Sequence, residues 1–123
     1  MTTGKLSHAH LCGWLRFKHL TLLTTLAESR NMHATARVMH LSQPAASKML
    51  RDLEVYFGFA LFERLPRAMQ PTELGEQVIR YAWILLNDME RLVDDINALR
   101  EGGYGQLLIG AIAAAPPSMV AAR

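Results

Sequence analysis

From Glu73 to Glu101 the sequence contains no proline and, after Gly75, no glycine. Apolar residues recur through it at Leu74, Val78, Tyr81, Leu85, Met89, Leu92, Ile96 and Leu99, in steps of 4, 3, 4, 4, 3, 4 and 3. Those steps follow one face of an α-helix for about four heptads, so the spacing predicts a single helix of roughly 40 Å at a rise of 1.5 Å per residue. A second row, Ile79, Leu86 and Val93, makes the stripe wider than a lone helix tolerates in water. The helix needs a partner, most simply another copy of itself, and the eight residues of the main stripe are the expected dimerisation face.

The whole chain has 123 residues, enough for roughly one ordinary domain with a real core. Half of them are apolar and 20% are charged, the composition of a soluble globular protein. The only cysteine is Cys12, which excludes an intramolecular disulfide and suits a reducing, cytoplasmic setting. The apolar run from Leu107 to Ala115 is too short to span a bilayer, and neither a membrane anchor nor a signal peptide is expected.

Charge is unevenly distributed. Residues 14 to 72 hold eight arginines and lysines against four acids, a net +4, whereas residues 73 to 101 hold three arginines against seven acids, a net −4. A basic unit is followed by an acidic helix. Solvated surface could account for the asymmetry alone, but a basic unit is also what a polyanion selects.

Within the basic unit, Leu20, Leu23 and Ala27 mark a first helix from Phe17 that ends between Glu28 and Asn31. Asn31 can cap a short second helix through Met39, with Ala36 and Met39 facing inward. After Leu41, Ser42 can cap a third helix whose first turn tolerates Pro44, because the N–H groups of that turn lack intrahelical partners. Ala46, Leu50, Leu53 and Phe57 fall within about 60° of one another on it, a narrow buried stripe. Gly58 ends this helix, and FALFERLPRAMQPT then predicts two short extended pieces around a Pro66 turn, with Thr72 capping the long helix. Gly102-Gly103 breaks the long helix, and GQLLIGAI is a candidate buried strand that opens a further domain.

The fold class expected is therefore mainly α: a winged helix-turn-helix over residues 15 to 72, a linker and dimerisation helix over 73 to 101, a flexible extension over 1 to 14, and the truncated start of another domain over 102 to 123. In such an arrangement the third helix enters the DNA major groove by its N-terminal end. Small residues there let backbone approach base edges: Gln43 can pair with adenine, Pro44 and Ala45 can touch thymine methyl groups, and Ser42 or Ser47 can bind phosphate. Lys48 and Arg51, one and two turns on, can reach a guanine edge or the phosphate rail. Individually each has an ordinary alternative, as a cap, a helix starter or a solvated surface charge. Together they point to DNA.

The run AESRNMHATARVMHLSQPAASKMLRDLEVYFGFALFERLPRAMQPTELGE resembles the DNA-binding domain of the LysR-type bacterial transcriptional regulators. The resemblance covers about half the chain through the winged domain, and the long helix and GQLLIGAI resemble the family's linker helix and first effector-domain strand. It implies that Asn31 and His33 stand near phosphate at the start of the second helix, that Ser42, Gln43, Pro44, Ser47, Lys48 and Arg51 stand in the recognition helix, and that Arg64 and Arg67 stand in the wing, where an arginine commonly enters the minor groove. Two departures stand out. Arg30, Asn31, Met32 and His33 replace the usual Gly-Ser-Phe-Thr, and Ala68 replaces a usual wing glycine. The implied partners are double-stranded DNA carrying an interrupted dyad, a second copy through the linker helix, and RNA polymerase, in a nucleoid-associated cytoplasmic regulator. Tetramers and a small-molecule effector site go with the full effector domain, and no other cofactor is expected.

A metal site would have to rest on His8, His10 and Cys12 in HAHLC, which lacks a second Cys/His pair at finger spacing. His33 and His40 are spaced as surface and helix-end residues. No paired carboxylate, nucleophile motif or glycine-rich phosphate loop is present, so no enzyme activity is expected. The rival from another class is a dimeric protein-interaction module. Salt separates the two, since DNA binding weakens steeply with salt and an apolar interface does not.

Overall fold

A computed structural model describes residues 5–103. Its elements run α1 (His8–Trp14), α2 (Phe17–Ser29), α3 (Met32–Val38), α4 (Gln43–Phe57), β1 (Phe62–Arg64), β2 (Met69–Pro71) and α5 (Glu73–Ala98), followed by one π-helical turn, Leu99–Gly103. Residues up to Leu86 form one compact unit and those from Asn87 a second. The mainly helical winged architecture agrees with the sequence. The candidate strand GQLLIGAI lies outside the described residues.

Local chemistry sets the helix boundaries. The Arg16 N–H donates to His19 Nδ1 at 2.9 Å, opening α2, and Arg30 closes it in the left-handed region at φ 56°, its N–H donating to the Leu26 carbonyl at 2.8 Å. Asn31 Oδ1 accepts the Ala34 N–H at 2.8 Å and starts α3. His40, also left-handed at φ 58°, turns the chain so that the Leu41 N–H reaches the Ala36 carbonyl at 2.8 Å. Ser42 Oγ then accepts the Ala45 N–H at 3.2 Å, Pro44 sits in the first turn of α4, and Gly58 at φ 87° stops it. Each polar cap satisfies a backbone group that the first or last turn leaves orphaned.

The core is shared by every element of the helix-turn-helix and wing. Leu22, Leu23 and Leu26 from α2 meet Met32 and Ala36 from α3, Ala46, Leu50 and Leu53 from α4, and Leu61, Phe62 and Met69 from the hairpin. Each fully buried leucine contributes on the order of 1.5–3 kcal/mol over its exposed state. The inward face of α2 is broader than the expected Leu20, Leu23 and Ala27, because α2 packs against both α3 and α4. Thr35 is fully buried and answers its hydroxyl with Ser29 Oγ at 2.9 Å.

β1 and β2 pair antiparallel, Phe62 with Pro71, Glu63 with Gln70 and Arg64 with Met69. The tip closes with the Leu65 N–H donating to the Ala68 carbonyl at 2.8 Å. Ala68 is not among the residues of positive φ, so this wing turns without the glycine.

One expectation fails at the amino terminus. Instead of a flexible extension throughout 1 to 14, His8–Trp14 form α1, capped by Ser7 Oγ accepting the His10 N–H at 3.2 Å. None of its residues is buried. Rings hold it: Trp14 stacks on His19 of α2 at 4.7 Å and on Tyr56 of α4 at 4.2 Å between centroids, with planes nearly parallel. At the other end, α-helical geometry stops at Ala98 rather than at Glu101, and Gly102 at φ 98° ends the π turn.

Candidate nucleic-acid interface

The first turn of α4 presents Ser42, Gln43, Pro44 and Ala45 to solvent, with Ser47 half-buried behind them. Ala46, on the inner side of the same turn, is fully buried where α4 joins the core. The Ser42 hydroxyl already serves as the cap, and the Gln43 amide forms no hydrogen bond within the described residues.

Gln43 forms one wall of an open groove of about 340 Å³. Asn31 and His33 at the start of α3 and Arg64 and Arg67 of the hairpin line it too, together with Arg30. Five of the residues selected from the sequence therefore converge at one place. The Arg64 guanidinium donates to the Met69 sulfur at 3.9 Å. Among the described residues the one ion pair is Lys48 with Asp52, 3.0 Å apart on α4 and well exposed at 68% and 50%. The groove arginines thus have no carboxylate partner. An exposed i,i+4 pair is worth only a few tenths of a kcal/mol and gives way to a competing anion.

Lys48 and Arg51 are exposed but lie outside this groove. Arg51 borders a different depression with Val55 and Phe59, toward the far end of α4. The selected side chains are a groove cluster plus a row along α4. Arg30 is the addition that sequence reasoning did not place at the interface, although its substitution for the family's glycine was the available signal.

Away from this face, burial lowers the His19 pKa below its ordinary value, with the Arg16 charge adding to the effect and Asp52 opposing it. The histidine and cysteine side chains of HAHLC do not converge. His8 Nε2 and Cys12 Sγ are 3.5 Å apart, while His10 Nδ1 meets the Tyr56 hydroxyl at 2.9 Å. Among the described residues no set of three His, Cys, Asp or Glu is arranged to hold a metal.

The expected dimerisation residues fall into two sets. In the first unit Leu74, Tyr81 and Leu85 are exposed and Val78 is half-buried, because α5 turns Gly75, Ile79 and Ala82 toward the core instead. In the second unit Met89, Leu92 and Ile96 are exposed and Leu99 is half-buried. The stripe is accessible, and of the second row Ile79 is consumed inside the chain.

Residues 17–76 match the bacterial regulatory helix-turn-helix protein, lysR family. The fold superposes on the crystal structure of the CbnR DNA-binding domain–DNA complex with a TM-score of 0.63 and 30% identity, covering 70% of this chain and 99% of that one. The chain belongs to the LysR family. A second structural match, the BenM DNA-binding domain on catB site 1 DNA, has a TM-score of 0.66 and 25% identity over 72% of this chain and 95% of that one. Among curated relatives, the HTH-type transcriptional regulator GbpR of Azospirillum brasilense is 39% identical over 86% of this chain and 31% of its own length. The small neutral protease regulatory protein of Streptomyces coelicolor is 35% identical over 80% and 30%. This LysR-family chain thus spans about three-tenths of the length of the curated relatives it matches. Those relatives are regulators rather than enzymes, and no helix among the described residues is long and apolar enough to cross a membrane.

Proposed function

We propose that the chain is a sequence-specific binder of double-stranded DNA that acts as a dimer on an interrupted dyad. The observation that carries this reading is the pairing of an exposed, small-residue helix start with a groove whose arginines lack internal partners. Gln43, Pro44 and Ala45 read base edges from the first turn of α4. Asn31, His33, Ser42 and Ser47 bind phosphate, Lys48 and Arg51 further along reach a guanine edge or the phosphate rail, and Arg64 and Arg67 carry the wing to the adjacent minor groove. CbnR and BenM, solved on DNA, support the same use of this fold here. The stripe Leu74, Val78, Tyr81, Leu85, Met89, Leu92, Ile96 and Leu99 supplies the contact between copies, which sets two recognition helices at a fixed separation.

Selection tests it. The purified chain is mixed with sheared genomic DNA near physiological salt, and the bound fragments are sequenced. Enrichment of an interrupted inverted repeat is expected; binding without a motif removes sequence specificity, and no salt-sensitive binding returns the chain to a protein-interaction module. In the same selection Gln43→Ala should relax base preference at one position by about 1–3 kcal/mol. Selectivity equal to the parent's would remove Gln43 from direct readout.

A further inference from the structure

We propose that Arg30, the residue that closes α2, is an additional phosphate-binding arginine of the groove, a role that rests on the DNA-binding reading above. Three observations converge on it. Arg30 holds φ 56°, a left-handed conformation in which side chains other than glycine are disfavoured and which helix ends usually give to glycine. Its backbone is pinned on both sides, the N–H to the Leu26 carbonyl at 2.8 Å and the carbonyl to the Met69 N–H of β2 at 2.9 Å. Its side chain lines the same groove as Arg64, Arg67, His33 and Gln43. Among the described residues no hydrogen bond or ion pair engages its guanidinium, so the two backbone bonds hold the left-handed conformation while the side chain is left without an internal partner.

The chemistry follows from that placement. A guanidinium offers a planar fork that suits two phosphate oxygens, and one anchored at a junction between α2, α3 and β2 starts from a fixed point rather than a mobile loop. A backbone phosphate threading between the start of α3 and the wing would meet Arg30 from the α2 side and Arg64 and Arg67 from the wing side. Because phosphates carry no base information, Arg30 adds affinity that is independent of sequence.

The test compares the parent with Arg30→Gly and Arg30→Lys. Thermal unfolding is recorded together with anisotropy titrations of a labelled duplex at several salt concentrations, on a selected site and on scrambled DNA. Arg30→Gly relieves the left-handed strain and should raise Tm by about 4–8 °C. Its plot of log Kd against log salt should lose about 0.9 of slope per protomer, which at 0.15 M salt is roughly a fivefold weakening per protomer on both DNAs. Arg30→Lys should keep the slope without the gain in Tm. A folded Arg30→Gly with a raised Tm and the parent's slope overturns the proposal and leaves Arg30 a solvated helix end. A parent with no salt-dependent binding overturns it together with the DNA-binding reading, so the two failures are told apart by the parent alone.

Discussion

The junction where α4 hands over to the wing and α5 differs from the face that α4 and the wing turn to solvent. In the junction the side chains of Glu54 and Thr72 engage backbone groups within the chain. Glu54 Oε2 accepts the Leu61 N–H at 2.8 Å and the Phe62 N–H at 3.2 Å, the Thr72 N–H donates to the Leu61 carbonyl at 2.9 Å, and the Thr72 hydroxyl donates to the Ala60 carbonyl at 2.8 Å while accepting the Gly75 N–H at 2.9 Å. On the outer face Arg30, Arg64 and Arg67 have no carboxylate partner and Gln43 no hydrogen bond within the described residues. The family-like motifs divide along that line. The Glu54, Leu61–Arg64 and Thr72–Gly75 motifs do mostly structural work, whereas the motif that starts at Ser42 uses its serine as the cap and leaves Gln43 without an internal hydrogen bond.

The largest effect should come from filling the space in the junction. A Cβ built on Gly75 would lie 2.0 Å from the Leu61 carbonyl oxygen, far inside contact. Leu61 cannot retreat, since Glu54 holds its N–H and Thr72 its carbonyl. Gly75→Ala is therefore expected to destabilise by about 3 kcal/mol or more in urea unfolding and to displace the wing from α4. Gly13 of α1 is the control, with nothing within 4 Å of its Cβ position. Gly13→Ala should be neutral or stabilising by up to about 1 kcal/mol, the difference in helix propensity. Equal stabilities of the two variants would mean that α5 shifts freely on the hairpin.

The same division runs around α5 and predicts two different failures from one kind of substitution. Ile79 is 7% exposed and belongs to the core, whereas Leu85 is 42% exposed and faces away from it. Ile79→Glu places an unpaired charge in the core and should unfold the first unit, at a cost of several kcal/mol. Leu85→Glu should leave the unfolding of an isolated copy within about 0.5 kcal/mol and instead convert dimers to monomers in sedimentation. Dimers of unchanged mass in Leu85→Glu would break the assignment of the exposed row to association.

Much of this was legible in the sequence, for reasons that differ by element. α2, α3, α4 and α5 announce themselves through a 3.6-residue period and through Asn31, Ser42, Gly58 and Thr72, whose roles are local and read directly from residue type. α1 was not legible. HAHLCGW has no apolar period and carries Gly13, and its anchor is Tyr56, which lies more than forty residues away in the chain. The choice of Ile79 and Ala82 over Leu74 and Tyr81 as the inward row of α5 was equally hidden, because both rows are apolar and the decision belongs to the close fit of Gly75 on Leu61. At the candidate interface the residue types were readable, and their grouping was not: Gln43 and Arg67 share a groove that Arg51 does not reach, and Arg30 joins it from a left-handed position that only the replaced glycine hinted at.

The smallest expected effect lies where an internally satisfied group can still be protonated. His19 sits against Trp14 and uses its Nδ1 lone pair to accept the Arg16 N–H, so its proton belongs on Nε2 and the neutral ring is the form the fold employs. Burial first, and the Arg16 charge second, lower its pKa, while Asp52 pulls the other way. The folded state therefore binds fewer protons than the unfolded chain, in which the ring titrates near 6.5. Its contribution is fully present above that value and is lost as the pH falls through the lowered folded value, so stability should decline from about pH 6.5 downward. The ring is half-buried rather than enclosed, and screening keeps the decline shallow. Urea midpoints of the parent and His19→Gln, measured across this range, isolate it: the parent should lose more than the variant on acidification. Identical profiles would show that the stack of Trp14 on His19 holds α1 equally well with either charge on the ring.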